Sequence, residues 1–352
     1  MELSSKCRIF ARKIANMTDL SIIIPVYQVE KYIRACVQSV FKQGLDDNRF
    51  ELIIVNDGTV DRSMEVIADI IEQHNNVTVI NQENQSLSVA RNNGIAKAKG
   101  EYILMPDSDD LLIENSLKPL LEKALERKAD LVVADFVVIE NNDMPSFTGV
   151  VQPEFSIQEK TGQQFFLEDL NPRQCYVWRT LYRREFLLDN HISFIRGINY
   201  QDVPFTHKCY LKARRCIKAS RVLYVYRLNR PGAATTRFTV NKSRSYSVAM
   251  ASTWNLRQIM GLSPDVLFKL EEDVYTSFKA LVYHTIYSIN KRKDRKIVID
   301  ILKYEAPQLY FTHGVNQKLT SFMLKYLPYL YIELYYIYSL IVFKKVWKIW
   351  KK

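Results

Sequence analysis

Three carboxylates fall within four positions, Asp107, Asp109 and Asp110, directly after the apolar run Tyr102-Ile103-Leu104-Met105-Pro106. A short apolar run bounded by Gly100 and ending in carboxylates reads as a buried strand that stops at a site. Carboxylates this close repel one another, and folding alone gives little reason to gather them. A divalent cation whose other positions are filled by phosphate oxygens removes that cost. Taken by itself, the stretch is equally well read as a solvated acidic turn capping the next helix.

What positions such a cluster is the segment before it. Residues 20–25 form an apolar run stopped by Pro25, and residues 29–41 carry a helical stripe of Val29, Tyr32, Ile33, Cys36, Val37, Val40 and Phe41. A second strand is expected over 50–55, ending in Asn56-Asp57-Gly58, then a helix over 64–71, a strand over 77–80, a helix over 87–98 and a strand over 102–105. Residues 114–127 and 131–138 continue the alternation. Strands and helices alternating through short connections mean a mainly parallel sheet covered on both faces. In such sheets ligands bind beyond the carboxyl ends of the strands. Pro25-Val26-Tyr27, Asp57-Gly58 and Asp107 to Asp110 all stand at those ends and should converge.

After about residue 140 the rhythm changes. Residues 141–164 read as a polar loop crossing the sheet, 178–194 as helix, and 199–213 as a helix with Asp202 at its start. Residues 216–226 read as strand, Arg230-Pro231-Gly232 as a turn, and 241–304 as helix. None of the five histidines stands at metal-ligand spacing, and Ser86 and Ser88 lack the His and Asp company of a hydrolase nucleophile.

A hydrophobic fraction of 47% and a charged fraction of 25% are those of an ordinary globular protein, and 352 residues allow one large domain with appendages. Five scattered cysteines without a CxxC pair suit reduced thiols in a cytosol. The first residues lack the apolar core of a signal peptide; residues 1–18 read instead as a basic extension with Lys6, Arg8, Arg12 and Lys13. The net charge of +11 is uneven, with seven lysines against Glu333 alone from Lys318 onward. Ten uncharged residues separate Glu333 from Lys344, too few to span a bilayer. Aromatics beside lysines fit a helix lying on an anionic membrane surface, or one packed on the main domain or a partner subunit. Acidic strand ends argue against nucleic acid as the partner of the positive charge.

Four segments in order, Ser21-Ile-Ile-Ile-Pro-Val-Tyr27, Glu51-Leu-Ile-Ile-Val-Asn-Asp-Gly58, Asn84-Gln-Ser-Leu-Ser-Val-Ala-Arg-Asn92 and Asp107-Ser-Asp-Asp110, resemble the family 2 glycosyltransferases of GT-A fold. The likeness continues through Trp178, Tyr200-Gln-Asp-Val-Pro-Phe205 and Arg230-Pro-Gly232, covering roughly residues 19–236. It implies a GT-A domain over 19–236; the residue pattern beyond it adds a helical extension over 237–316 and a basic aromatic tail over 317–352. It implies a nucleotide-sugar donor, a UDP-sugar by expectation, with Pro25 and Tyr27 lining the nucleotide pocket and Tyr27 stacking on uracil. Asp57 would accept a hydrogen bond from the pyrimidine ring N–H, and Arg91 would lie near the base or pyrophosphate. Asp109 and Asp110 would form the metal and ribose end of the cluster, for Mn2+ or Mg2+, with Asp107 supporting. Asp202 matches the catalytic base of an inverting displacement. Trp178 would pack against the acceptor sugar or belong to the core.

The chain departs from the family pattern at Gln201, where glutamate is usual, at Asn56, a frequent aspartate, and at Ser86, a common glycine. The function implied is transfer to a hydroxyl of a glycan or lipid-linked glycan precursor in surface polysaccharide synthesis, at the inner face of the cell membrane. Two alternatives stand beside it: transfer to polyprenyl phosphate, and a non-catalytic nucleotide-sugar-binding scaffold.

Overall fold

A computed structural model of the chain describes residues 18–140, 151–228 and 238–350, with helical backbone only over 342–350. The basic extension expected at the N-terminus and the turn at Arg230-Pro231-Gly232 lie outside the described residues. The described residues divide into two compact units, one of 18–140, 151–170, 174–197 and 208–228, the other of 171–173, 198–207 and 238–350.

In the first unit the elements run β1 (Leu20–Val26), α1 (Ile33–Val40), β2 (Phe50–Asp57), α2 (Ala68–Gln73), β3 (Val77–Gln82), α3 (Leu87–Lys97), β4 (Tyr102–Leu104), β5 (Leu111–Leu112), α4 (Leu117–Arg127), β6 (Leu131–Glu140), β7 (Ile157–Lys160), α5 (Gly162–Glu168), β8 (Thr180–Arg183) and α6 (Arg184–Asp189). Helix α7 (Asp202–Lys212), of which 202–207 are counted with the second unit and 208–212 with the first, and strand β9 (Cys216–Leu228) follow. The strands form one mixed sheet in the order β3-β2-β1-β4-β8-β6-β9-β5, with β7 also on β9.

Its first four strands are parallel and in tight register: Leu20 faces Phe50 and Tyr102, and Val26 faces Asn56. Every residue of β1 is buried, which is why this strand reads as an unbroken apolar run rather than an alternating one. Helix α1 covers one face with Ile33, Cys36, Val37 and Val40, at the spacing of one helical stripe. On α3, Gly94 lets the helix lie directly on β1, because a Cβ there would collide with the Ile23 side chain.

The segment 178–194, expected as one helix, is instead a 3-10 turn at Val177–Arg179, strand β8 and the short α6. β8 slots antiparallel between β4 and β6, so Thr180, Leu181 and Tyr182 are all buried. Burial on both faces erases the alternation that marks a strand. The polar stretch expected as loop also holds structure, β7 and then α5. Thr161 Oγ1 accepts from the Gln164 amide while Gln164 Oε1 accepts from the Thr161 amide, a capping box that starts α5.

The second unit holds α8 (Val240–Asn255), α9 (Pro264–Ser288), α10 (Arg292–Glu305), α11 (Gly314–Tyr326) and α12 (Pro328–Trp350) around Phe278, Phe311, Leu281, Ile299, Leu302 and Ile332. Ser263 caps α9 and Pro264 opens it, a combination that suits a helix start. Glu333, the lone carboxylate of the tail, pairs with Arg295 at 2.8 and 3.0 Å, and that guanidinium lies 3.6 Å from the centre of the Tyr336 ring. With Tyr331 and Ile332 also buried, α12 is pinned along one side to the helices before it.

Candidate functional site

The parallel register brings the ends of β1, β2 and β4 to one edge of the sheet, and the side chains singled out in the sequence gather there. Pro25 is buried near the end of β1, and Tyr27, the next residue beyond the strand, is 43% exposed. The turn that follows is laced to the loop after β2: the amides of Gln28, Val29 and Glu30 donate to Thr59 Oγ1, Ser63 Oγ and Asp61 Oδ2. Burial opposes the charge on Asp61, but donors from Ser63, Thr59 and the Glu30 amide outweigh it and hold this carboxyl below its usual range.

Asp57 ends β2 and is nearly fully buried. One oxygen accepts from Gln82 Nε2 at 2.7 Å and the Gln85 amide at 2.9 Å, and the other from the Ser86 amide at 3.1 Å. A carboxylate offers about four lone-pair positions, so three protein bonds leave one for a ligand. Asp57 thereby fixes the loop before α3, where Ser86 sits at φ 95°, a conformation that strains any residue but glycine. At Asn56 the amide suits its place better than a carboxylate would: its oxygen accepts from the Thr59 amide while its nitrogen donates to Asn81 Oδ1.

Arg91 projects from α3 and is buried. Its Nη2 donates to Asp107 Oδ1, its guanidinium lies 5.4 Å from the centre of the Phe194 ring, and Nε has no hydrogen-bond partner among the described residues. Asn92 holds the Phe194 backbone by two bonds of 2.8 and 2.9 Å, which fixes the ring under Arg91. The cation expected near the base or pyrophosphate is thus committed first to the carboxylate cluster.

Within that cluster Asp107 and Asp109 are half-buried and Asp110 is buried. Asp110 accepts from the Tyr224 hydroxyl at 2.9 Å and from the Arg227 amide at 2.8 Å, and the same tyrosine oxygen accepts from the Asp107 amide at 3.0 Å. Arg227 Nε donates to the Asp109 carbonyl at 3.1 Å. Burial, and then the neighbouring Asp109 and Asp107, push the Asp110 carboxyl up to about 8. A carboxyl raised in the folded state favours folding most below its unfolded value near 4, and that contribution is lost as pH rises toward 8. In metal-free buffer, Asp110→Asn is therefore expected to gain melting temperature over wild type as pH goes from 5 to 8, by up to a few degrees per pH unit. Scanning calorimetry of both proteins across that range checks it, and a constant difference would contradict it.

Asp107 and Asp109 offer the hard carboxylate oxygens that a divalent cation of the Mn2+ or Mg2+ kind takes, and the Cys36 thiol donates to the Asp107 carbonyl beside them. Among the described residues no three His, Cys, Asp or Glu side chains enclose an ion by themselves, so phosphate or water oxygens would have to complete its shell.

Asp202 lies in the first turn of α7, half-buried, in the second unit. There the Tyr200 and Tyr246 rings meet at 4.3 Å, and burial first, then Tyr200 and Asp202, push the Tyr246 hydroxyl up to about 12. Gln201 beside it is buried, and its Oε1 has no hydrogen-bond partner among the described residues. Further along α7, His207 places Nδ1 2.8 Å from the Val203 carbonyl and Nε2 3.3 Å from Asp273.

Trp178 is core: it is buried between Tyr224, at 4.0 Å, and Tyr176, at 4.8 Å, in a continuous ring stack. Sequence reasoning passed over Tyr224 and Arg227, which hold Asp107, Asp109 and Asp110. The available signal was the alternation of Tyr224 and Tyr226 in a strand that begins only after residue 215.

A family model described as Glycosyl transferase family 2 matches residues 21–188. The glycosyltransferase GlyG of Streptococcus pneumoniae serotype 4 is 28% identical over 288 residues, 78% of this chain and 93% of that protein. YibD of Escherichia coli K12, named an uncharacterized glycosyltransferase, is 31% identical over 244 residues, 66% of this chain and 68% of that one. The crystal structure of residues 1–349 of Staphylococcus aureus TarS in complex with UDP-GlcNAc superimposes with a TM-score of 0.62 at 22% identity, covering 82% of this chain and 80% of that chain.

Proposed function

The chain belongs to glycosyl transferase family 2 and has its GT-A fold, and on that basis we propose that it transfers a sugar, with inversion, from a UDP-sugar to a hydroxyl of a glycan or lipid-linked glycan precursor. The observation that carries this reading is the Asp107–Asp110 cluster, clamped by Arg91, Tyr224 and Arg227 at the strand edge that also holds Tyr27 and Asp57. The UDP-GlcNAc held by the TarS structure supports a uridine diphosphate donor.

In this reading Tyr27 offers its exposed ring to the pyrimidine, Pro25 shapes the floor, and Asp57 uses its remaining lone pair for the pyrimidine N–H. Asp109, with Asp110 behind it, would hold Mn2+ or Mg2+, and Asp107 would be kept in place by Arg91. Such an ion supplies charge neutralisation for the departing diphosphate. Asp202 takes the proton of the acceptor hydroxyl as its oxygen bonds to the anomeric carbon, and the bond from that carbon to the phosphate oxygen breaks toward the nucleoside diphosphate. A single displacement turns an α-linked donor into a β-linked product. Proton NMR of the product formed from UDP-GlcNAc or UDP-glucose reads this directly, and an α-linked product would refute it.

The face of α11 and α12 that is not packed carries Leu319, Phe322, Tyr326, Tyr338 and Ile341 exposed, with Lys318 and Lys325 on α11 and five lysines from 344 onward in the sequence. No described helix is long and apolar enough to cross a membrane. Aromatic and aliphatic exposure beside lysines supports docking on an anionic membrane surface at the inner face of the cell membrane, where a lipid-linked acceptor would be met. Deleting 317–352 would strip Tyr331, Ile332 and Glu333 from their buried contacts, so substitution is the better test. Phe322→Ser with Tyr338→Ser and Ile341→Ser is expected to abolish co-sedimentation with phosphatidylglycerol vesicles while leaving the melting temperature near wild type; undiminished binding would refute the membrane reading.

A further inference from the structure

The three stacked rings Tyr224, Trp178 and Tyr176 change steadily in exposure: Tyr224 is fully buried, Trp178 is 3% exposed, and Tyr176 is half-buried. The inner end of the stack is the hydroxyl that binds Asp110 and the Asp107 amide. Around its outer end stand two more half-buried rings, Tyr226, 5.4 Å from Tyr176, and Phe136, 5.5 Å from Tyr176 and edge-on to it. Two register shifts between β6 and β9 set Phe136 opposite Tyr224 and Val138 opposite Tyr226, which brings Phe136, Tyr224 and Tyr226 to one face of the sheet. The rim is polar. Arg179 lies with its guanidinium 5.3 Å from the Phe136 ring centre and 4.0 Å from the half-exposed Asp135, and its Nε has no hydrogen-bond partner among the described residues.

We propose that Tyr176, Tyr226 and Phe136 form the platform on which a sugar ring of the acceptor lies, with Arg179 and Asp135 bonding its hydroxyls. The proposal rests on the donor reading above. A pyranose presents an apolar C–H face and a rim of hydroxyls, and a small aromatic floor with a few fixed polar groups is the surface complementary to it. The strand order decides between donor and acceptor: β1 and β2, with Tyr27 and Asp57, lie on one side of β4, while β8, β6 and β9 lie on the other. A nucleotide spread over β1 and β2, with its diphosphate at the end of β4, leaves the β8-β6-β9 side for what receives the sugar. Rigid stacking also links the platform to the carboxylates, because Tyr226 precedes the residue whose amide holds Asp110.

Saturation-transfer difference NMR tests this on the full chain with UDP and Mn2+ present, using the methyl β-glycosides of glucose, galactose and N-acetylglucosamine, and cellobiose. At least one sugar is expected to receive saturation from wild type. Tyr176→Ala should weaken that binding at least tenfold, Tyr176→Leu, which keeps apolar volume on Trp178, should do the same, and Tyr176→Phe should retain it. UDP binding by calorimetry should stay within twofold in all three variants. Sugar binding that survives Tyr176→Ala or Tyr176→Leu, or no saturation of any sugar by wild type, overturns the platform. Failure of wild type to bind UDP instead overturns the donor reading, so the two failures are told apart.

Discussion

Asp202→Asn is expected to lower turnover by about 10²–10⁴-fold, the range for losing one general base, while leaving UDP affinity unchanged. Asparagine still serves in the first turn of α7, so folding should be preserved and the loss should fall on kcat. A neutral sugar hydroxyl must lose its proton as it attacks, and Asp202 is the carboxylate present where the family usually carries two, because Gln201 takes the other place. Polyprenyl phosphate is already an anion and would barely register the change. A scaffold without catalysis would show neither transfer nor donor hydrolysis in wild type. Initial rates of UDP release with a hydroxyl acceptor, in wild type and variant, separate these cases, and a loss under tenfold would remove Asp202 from the base role.

Arg91→Ala should be the most damaging single change in the donor half. The guanidinium is buried against Asp107, and removing it takes away the cation that pairs with that carboxylate. Breaking a buried pair from one side costs about 3–5 kcal/mol; here about 3 kcal/mol is expected, because Asp107 keeps 29% of its side chain in contact with solvent. Arg91→Lys should recover only part of this, since an ammonium lacks the planar group that reaches Asp107 through Nη2 while lying over Phe194. Urea unfolding of the three proteins measures the differences, and equal midpoints for wild type and Arg91→Ala would show the pair to be dispensable.

The donor half of the fold was legible because its signals are local. β1, β2 and β4 are buried on both faces and read as apolar runs, α1 keeps one stripe, and the polar residues appear where each strand stops. The same double burial misled at residues 180–183, where a strand inserted antiparallel between β4 and β6 looks like part of a helix. Thr161 and Gln164 carried a capping signal that marks the start of α5, and it was hidden inside a stretch read as loop. What holds the carboxylates was legible only as the alternation of Tyr224 and Tyr226 in a strand, with nothing local to tie it to Asp110. Tyr224 and Arg227 stand more than a hundred residues from Asp110, and only the closing of β9 onto β5 and β6 brings them there. Glu333 was visible as the odd charge in an aromatic tail, but its partner Arg295 belongs to another helix and could not be named.

The account turns on a metal-assisted UDP site at the Asp107–Asp110 cluster, and calorimetric titration of UDP with and without Mn2+ tests that most directly. Wild type should bind UDP at least tenfold more tightly with Mn2+, and Asp109→Ala should lose that gain while keeping its fold. UDP binding that is absent, or indifferent to Mn2+ in wild type, would contradict the central claim.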